Sequence, residues 1–509
     1  MYYIGIDVGT SSVKALLIDG EGKVLKTAVP EYSFQTPKPL WAESNPIDWW
    51  KATQRAIKEL VSTVEPSDIA AIGLTGQMHG MVALDKEGSV LRPCIMWNDQ
   101  RSHMECEEIT QKVGKEKILS ITGNPVLPGF TAPKILWTQK NEPDLFSSID
   151  KVVLPKDFIR YKLTGSFFSD VSDASGTSLL DVGKRTWSQE MFDILGWPIS
   201  WMPEVTESTE VSSKISKEAS LLTGLLTGTP VVAGGGDQAA QAVGCGIVEE
   251  GLVSATLGTS GVVFAQSDKY RVEPNGKLHA FCHAVPGKWH LMGVMLSAAG
   301  SFQWYKNQFA QVEQRLEKEG GSNAYDLLTE EAENVDAGSD GLFFLPYLSG
   351  ERTPHPDPYA RGCFIGMSLR HKKKHHTRAV LEGVSYGLND SLTLMRELGV
   401  NPNEIVLSGG GSRSGLWKQM LADVFSTSCT MVNALEGAAY GAAILAAVGV
   451  GKFTSVQEAC KVCIQKTETV NPGPNLEIYK RNYPIFKSLY PSLKAQFAKI
   501  AELNSETHN

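Results

Sequence analysis

A short turn of small residues, Gly-Thr-Ser, occurs twice between apolar runs, and it constrains the fold more than any other feature of the chain. The first copy lies in Ile4-Gly5-Ile6-Asp7-Val8-Gly9-Thr10-Ser11-Ser12, the second in Ser254-Ala255-Thr256-Leu257-Gly258-Thr259-Ser260-Gly261-Val262. Each predicts a hairpin of two strands with small residues at its tip. Such a tip lets backbone N–H groups and hydroxyls come close to a phosphate. One copy alone is equally a tight turn without a ligand. Two copies, one opening each half, predict a duplicated core whose hairpins face each other across a cleft and hold a nucleoside triphosphate.

Strand and helix patterns alternate along 509 residues, too many for one ordinary core, so an α/β protein of two or more domains is expected. Strands are predicted over 3–6, 14–18, 24–27 and 69–74. A helix is predicted over 46–64, opened by Asn45-Pro46 and carrying Trp49, Trp50, Ala56, Ile57 and Leu60 at helical spacing. A second pattern also repeats: Val231-Val232-Ala233-Gly234-Gly235-Gly236-Asp237-Gln238 resembles Val406-Leu407-Ser408-Gly409-Gly410-Gly411-Ser412-Arg413. Both read as strand, triple glycine, helix, and the expectation is one ancestral unit used twice. The boundary falls near 244–251, giving domains over 1–246 and 247–450 and a helical segment over 451–509 that packs back on the body. The Ala- and Gly-rich stretch 438–450 reads as a closely packed internal helix, and the polar stretch 313–340 as an insertion or surface helix.

Two aspartates stand where chemistry is expected. Asp7 precedes the first hairpin tip, and a carboxylate beside phosphate-binding amides makes electrostatic sense if Mg²⁺ bridges the two; otherwise it stabilises the turn. Asp237 follows three glycines at a strand-to-helix junction, where it either caps the helix or accepts a proton from a substrate hydroxyl during phosphoryl transfer. Gly409-Gly410-Gly411 would lie against an adenine or ribose, walled by Trp417 or Leu416, or would serve helix–sheet packing alone. His79, Trp97, Asn98, Asp99 and Gln100 supply the mixture of polar groups and flat rings that suits a sugar.

Several classes are set aside. No Walker loop occurs, since Gly451-Lys452 is followed by Phe453. The net charge of −8 argues against a nucleic-acid partner, and the basic run 370–376 reads as a solvated loop. No apolar run is long enough for a membrane span. The chain enters a strand pattern almost at once, and its 8 cysteines are scattered, so a cytoplasmic location without a signal peptide is expected. Cys460 and Cys463 form one C-x-x-C, read as a helix face rather than a zinc or redox site.

These residues carry a family resemblance. Gly129-Phe130-Thr131-Ala132-Pro133-Lys134-Ile135-Leu136-Trp137, and Gly362-Cys363-Phe364-Ile365-Gly366 through Ala379-Val380-Leu381-Glu382, resemble the two signatures of the FGGY carbohydrate kinase family. Thr138 and His376 stand where aliphatic residues are usual. Gly76-Gln77-Met78-His79-Gly80, Trp97-Asn98-Asp99, Leu154-Pro155-Lys156-Asp157 and Tyr347-Leu348-Ser349-Gly350-Glu351-Arg352-Thr353-Pro354 resemble its D-xylulose-phosphorylating branch most closely. The resemblance implies duplicated actin-like ATPase (ribonuclease H-like) domains around a central cleft. It implies transfer of the ATP γ-phosphoryl group to the 5-hydroxyl of D-xylulose with Mg²⁺, Asp237 acting as base. Met78, His79, Asp237 and Gln238 would contact the sugar; Thr10 and Thr259 would face the phosphates; Gly300, Gly410 and Gly411 would contact ATP; Asp7 would associate with the metal and take part in catalysis. The partners implied are a sugar and ATP, with a homodimer as a candidate assembly. Rival readings are a kinase for another sugar or polyol (ribulose, gluconate, erythritol) and a non-catalytic nucleotide switch on the same fold.

Overall fold

Two sheets of the same plan organise the chain in a computed structural model that describes residues 1–433 and 437–506. In the first sheet, β1 (Tyr2–Val8), β2 (Val13–Asp19) and β3 (Val24–Ala28) form an antiparallel meander. β4 (Ile69–Gly76) lies parallel to β1 on its other side, followed by parallel β6 (Pro230–Val232) and antiparallel β5 (Val211–Lys214) at the edge. The second sheet begins with β7 (Leu252–Leu257) paired to β8 (Gly261–Ser267). β9 (His279–Cys282) and β10 (Trp289–Met295) extend it beyond β8. On the other side, β11 (Glu404–Ser408) and β12 (Cys429–Val432) run parallel to β7, and β13 (Lys466–Val470) closes the edge.

Laid side by side, β3-β2-β1-β4-β6 matches β10-β8-β7-β11-β12 in order and in strand direction. The duplicated hairpins therefore occupy equivalent places. The triple glycines do not. Gly234-Gly235-Gly236 follows β6, the fifth strand of its unit, whereas Gly409-Gly410-Gly411 follows β11, the fourth. The expected pairing of these two glycine patterns as one duplicated element is thus a correction: their likeness is local, because both are sharp exits from a parallel strand. The second also leads into a short 3₁₀ turn, 410–413, before its helix.

Helices pack on both sheets. α1 (Pro46–Val61) starts at Asn45, whose side chain accepts from the Ile47 N–H, and has Pro46 in its first turn. It buries Trp49, Ile57 and Leu60 against Ile4, Ile6 and Leu17. Burial of each such side chain contributes about 1.5–3 kcal/mol. In the second unit, α3 (Lys373–Glu397) packs Leu381, Val384 and Leu388 on the sheet, and α6 (Leu476–Glu506) adds Tyr479, Phe486, Tyr490 and Phe497 to the same core. The C-terminal segment also carries β13, so it is not purely helical as expected.

Two helices form part of the contact between the units, alongside a cluster of Met78 and Phe130 with Phe264, Phe281 and Met292. α2 (Asp237–Gly244) follows β6, and α4 (Gly437–Gly449) is the helix after β12. α4 lies on the first sheet, its backbone brought down by glycines: a Cβ on Gly5 would stand 1.9 Å from the Ala439 carbonyl oxygen, and one on Gly73 1.9 Å from that of Ala442. The internal helix expected over 438–450 is therefore packed, but on the first unit rather than the second. α5 (Val456–Cys463) joins it, with Cys460 and Cys463 buried on one helix face.

Candidate active site

β1 delivers Asp7 and the first hairpin tip to the end of the first sheet. The turn is fixed by the Gly9 N–H donating to the Ser12 carbonyl at 3.0 Å. The Tyr32 hydroxyl and the Gln77 side-chain amide (3.0 Å) both donate to the Gly9 carbonyl. The Trp97 indole N–H donates to Thr10 Oγ1 at 3.1 Å. Asp7 Oδ1 is buried and has no protein partner. Burial pushes the Asp7 carboxyl up to about 6, and the Lys14 ammonium draws it back in part. An orphaned, desolvated carboxylate oxygen is costly unless a cation or water meets it, so the site fits a divalent metal ion.

Register places Asp237 at the same end. Gly235 and Gly236 pair with Thr75 and Gly76 of β4, which pair in turn with Asp7 and Val8. The loop leading to Asp237 is held from several sides. Gly234 takes φ +73°, where a Cβ would lie 1.8 Å from the Leu74 carbonyl oxygen, so only glycine fits. Arg160 donates to the carbonyls of Val232 (2.8 Å) and Ala233, and Ser172 Oγ accepts from the Gly236 N–H at 3.0 Å. Arg160 belongs to a buried charge cluster in which Lys156 pairs with Asp157, Asp170 and Asp173. The Asp237 carboxylate keeps some accessible surface, as a group lining a cleft does, yet is desolvated. Burial first and the Asp7 charge second raise it to about 7, while its bond from the Gln238 N–H (2.7 Å) works the other way.

Met78 and His79 complete this floor. A Cβ on Gly236 would stand 2.9 Å from Met78 Sδ, so the thioether lies directly on the glycine before Asp237. His79 stands at φ +72°. Its Nδ1 is 2.7 Å from the Gly176 carbonyl, which fixes the proton on Nδ1 and leaves Nε2 as an acceptor. Burial is the main reason that its pKa falls to about 3, so the ring is neutral near pH 7. It stacks on Phe130 with centroids 4.5 Å apart.

The second hairpin opens on a pocket of about 540 Å³ lined by Thr259, Gly300, Gly410, Gly411, Tyr325 and Trp417, among others. Gly300 and Gly411 admit nothing larger: a Cβ would meet the Thr259 carbonyl oxygen at 2.7 Å, or the Trp417 ring at 3.0 Å. A Cβ on Gly410 would meet nothing within 4 Å, so its backbone faces open space. A pocket of this size with a flat ring, small residues and a few polar groups is suited to a nucleoside.

The chain matches the family profiles "FGGY family of carbohydrate kinases" for the N-terminal domain over residues 2–244 and for the C-terminal domain over 253–450. It belongs to the FGGY family of carbohydrate kinases. It is 41% identical to xylulose kinase of Escherichia coli K12 over 492 residues, covering 96% of this chain and 99% of that one. It is 38% identical to xylulose kinase of Bacillus subtilis 168 over 496 residues, with 97% of each chain covered. Among solved structures, a xyloylose kinase from Brucella ovis superposes with a TM-score of 0.88 at 40% identity, over 97% of this chain and all of the other. A ligand-bound xylulose kinase from Lactobacillus acidophilus gives 0.91 at 27% identity, over 98% and 99%.

As an FGGY kinase the protein has the duplicated actin-like ATPase fold and uses ATP and a sugar as substrates. Its residues from the sequence patterns fall into two groups in space: Asp7, Thr10, Met78, His79, Asp237 and Gln238 on the first unit, Thr259, Gly300, Gly410 and Gly411 on the second. Of the two residues offered as a wall, Trp417 lines the nucleoside-sized pocket. One expected sugar contact changes. Asp99 is sequestered: it pairs with Arg101 at 2.7 Å and accepts the Ala42 N–H at 2.6 Å, so it braces a loop instead of facing the cleft. The basic run 370–376, expected as a solvated loop, is one only at its start: 373–376 open α3, and Lys373 pairs with the buried Glu313, while the exposed Arg370 pairs with Asp340. Among the described residues no helix is long and apolar enough to cross a membrane.

Sequence reading missed the clamp of Arg160 and Ser172 and the pocket residues Asn323, Tyr325 and Asp326. For the clamp a signal existed: Lys156, Asp157, Arg160, Asp170 and Asp173 interrupt an otherwise apolar stretch, and buried charges must be paired. For the pocket residues there was none beyond a polar segment.

Proposed function

We propose that this FGGY kinase transfers the ATP γ-phosphoryl group to the 5-hydroxyl of D-xylulose, giving D-xylulose 5-phosphate and ADP. The observation that carries the reading is the contact of Met78 with Gly236. It makes the Met78-His79 pair and the Asp237 carboxylate one unit, an acceptor-rich sugar floor with a base at its edge. The full-length similarity to xylulose kinases supports the choice of sugar.

In this reading Asp237 takes the hydroxyl proton as the sugar oxygen bonds to the γ-phosphorus. His79 Nε2, Gln238 and the Met78 surface orient the ketose. Thr10 and Thr259 contact the phosphates, and Gly300, Gly410 and Gly411 the nucleotide. Asp7, with its orphan oxygen, would hold Mg²⁺, which when bound neutralises phosphate charge. Residues 1–246 then supply the sugar and base, 247–450 the nucleotide pocket. Closure of the two units excludes water, which would otherwise compete as acceptor. The eight free cysteines suit a cytoplasmic enzyme.

A panel of D-xylulose, ribulose, gluconate, erythritol and glycerol, read by coupled ADP release with and without magnesium, tests this. D-xylulose should give the highest kcat/KM, and only with the metal. A higher value for another substrate overturns the sugar assignment. ATP binding with no sugar-dependent ADP release overturns the kinase reading in favour of a nucleotide switch.

A further inference from the structure

Phosphoryl transfer requires positive charge around the group in flight, whose equatorial oxygens carry the developing charge. None of the residues assigned above supplies a permanent cation there. We infer that Arg352 does: its guanidinium, delivered by the second unit, binds the transferred phosphoryl group and is a further catalytic residue. The inference rests on the kinase reading but not on which sugar is the acceptor.

The segment bearing Arg352 is anchored beside the second hairpin. The Thr353 N–H donates to the Val294 carbonyl at 3.0 Å, and Thr353 Oγ1 accepts from the Val294 N–H (3.2 Å) and donates to the Lys277 carbonyl (2.9 Å). Two residues before Thr353, Glu351 Oε1 accepts from the Leu296 N–H at 2.9 Å. Val294 and Met295 of β10 pair with Val262 and Gly261 of β8. Gly261 directly follows the tip Gly258-Thr259-Ser260. Arg352 thus leaves the backbone at the end of the second sheet where the phosphate-facing hairpin turns.

Arg352 acts electrostatically on both His279, which is on β9, and His79 of the first unit, whose ring centroid lies 6.3 Å from that of Phe281 on β9. Arg352 is solvent-exposed by area, yet its guanidinium is desolvated enough to lower its pKa. Those two properties together describe a group inside a cleft. Among the described residues no carboxylate forms an ion pair with it. Its neighbour Glu351 is held by the N–H groups of Leu296 and Arg352, and burial raises its carboxyl to about 8. Near pH 7 that neighbour is mostly neutral and offsets little of the guanidinium charge, which the backbone anchors carry to the end of the second sheet beside the triphosphate hairpin. An exposed arginine on an anchored backbone segment, with no carboxylate paired to it among the described residues, matches the demand of the reaction.

The chemistry balances without a proton on Arg352. The sugar oxygen forms its bond to the γ-phosphorus, the bond from that phosphorus to the β,γ-bridging oxygen breaks, the hydroxyl proton goes to Asp237 and ADP leaves. The guanidinium stays cationic and its hydrogen bonds shorten in the transition state.

The test is the kinetics of Arg352→Gln, Arg352→Lys and Arg352→Ala in the full chain. Arg352→Gln is expected to lower kcat about 10²-fold or more, with the KM values of sugar and ATP within about 3-fold of the parent. Sugar-independent ATP hydrolysis should fall in parallel. Arg352→Ala should recover part of its kcat with added guanidinium chloride at millimolar concentration, and Arg352→Lys should retain more activity than Arg352→Gln. Thermal melts within about 2 °C of the parent would exclude misfolding; were Arg352→Gln to misfold, the guanidinium rescue of Arg352→Ala would decide. A kcat within about 3-fold of the parent, or a loss confined to sugar KM, overturns the inference while leaving the kinase reading intact. A parent inactive on D-xylulose but active on another sugar fails the sugar assignment only, and the Arg352 comparison is then made on that sugar. A parent inactive on every sugar fails the kinase reading, and unchanged ATP hydrolysis in Arg352→Gln then fails this inference as well.

Discussion

The Asp7 carboxylate raises the pKa of Asp237 although the two residues come from different segments of the first sheet, because β1, β4 and the Gly235-Gly236 step end in register. The pair sets an expected pH response. Asp237 is raised to about 7 from its ordinary value of 3.8. A base must be ionised, so kcat/KM should rise with pH through an acid limb near 7 in the free enzyme. Asp7→Asn removes the repelling charge, so the limb of its residual activity should move to lower pH. An unmoved limb would mean that the two groups do not interact.

Stability runs opposite to activity. A carboxyl whose folded pKa is raised favours the folded state fully below the unfolded value of 3.8, and that contribution is lost as pH rises through about 7. Asp237→Asn should therefore melt above the parent at pH 8, with the gain shrinking steadily towards pH 4, while sugar phosphorylation falls by several orders of magnitude. Melting curves across that range check the sign, and a gain that grows on acidification would contradict the buried-acid account.

How much of this was legible in the sequence follows from how local each signal is. The Gly9-Thr10-Ser11 and Gly258-Thr259-Ser260 tips name their own geometry, and α1 announces itself through Asn45-Pro46 and its tryptophans. Topology is not local. The two triple glycines look alike over eight residues, yet only the order of parallel strands shows that one ends a fifth strand and the other a fourth. Asp99 looked like a sugar contact because an aspartate beside a tryptophan suits a sugar; its partner Arg101 and the Ala42 N–H are supplied by folding. Tyr325 has no pattern around it that could place its ring in the nucleoside-sized pocket.

Gly441 offers a test of the joint between the units. A Cβ there would lie 1.8 Å from the Ala240 carbonyl oxygen, and Gly244 is likewise pressed on the Gly437 carbonyl at 2.6 Å. Gly441→Ala forces α2 and α4 apart, at a cost of about 1–3 kcal/mol for overpacking. Because α2 begins at Asp237, kcat should fall together with the melting temperature. An unchanged melting temperature would show that the helices separate without cost.

Tyr325 should matter to the nucleotide alone. It lines the pocket with Trp417 on the second unit, whereas Met78 and His79 belong to the first and do not line it. Loss of one ring against a bound base is worth about 0.5–1.5 kcal/mol. Tyr325→Ala is expected to raise the KM for ATP by about 3- to 10-fold and leave that of the sugar unchanged; the reverse pattern would relocate the nucleotide.

His79 makes a prediction that separates a fixed hydrogen-bond acceptor from a titrating group. The Gly176 carbonyl holds the proton on Nδ1, and burial lowers the ring pKa to about 3, so Nε2 should present a lone pair at every pH from 5 to 8. Sugar KM should then show no inflection near pH 6.5 that vanishes in a His79 variant. His79→Ala removes both the acceptor and the face stacked on Phe130, while the backbone must still adopt φ +72°. The lost contact is worth about 1–3 kcal/mol, so sugar KM should rise about 5- to 150-fold with ATP KM little changed. If that variant binds the ketose as the parent does, the sugar floor lies elsewhere in the cleft. If instead KM titrates near pH 6.5 in the parent alone, the ring titrates near its ordinary value, and burial does not hold it neutral.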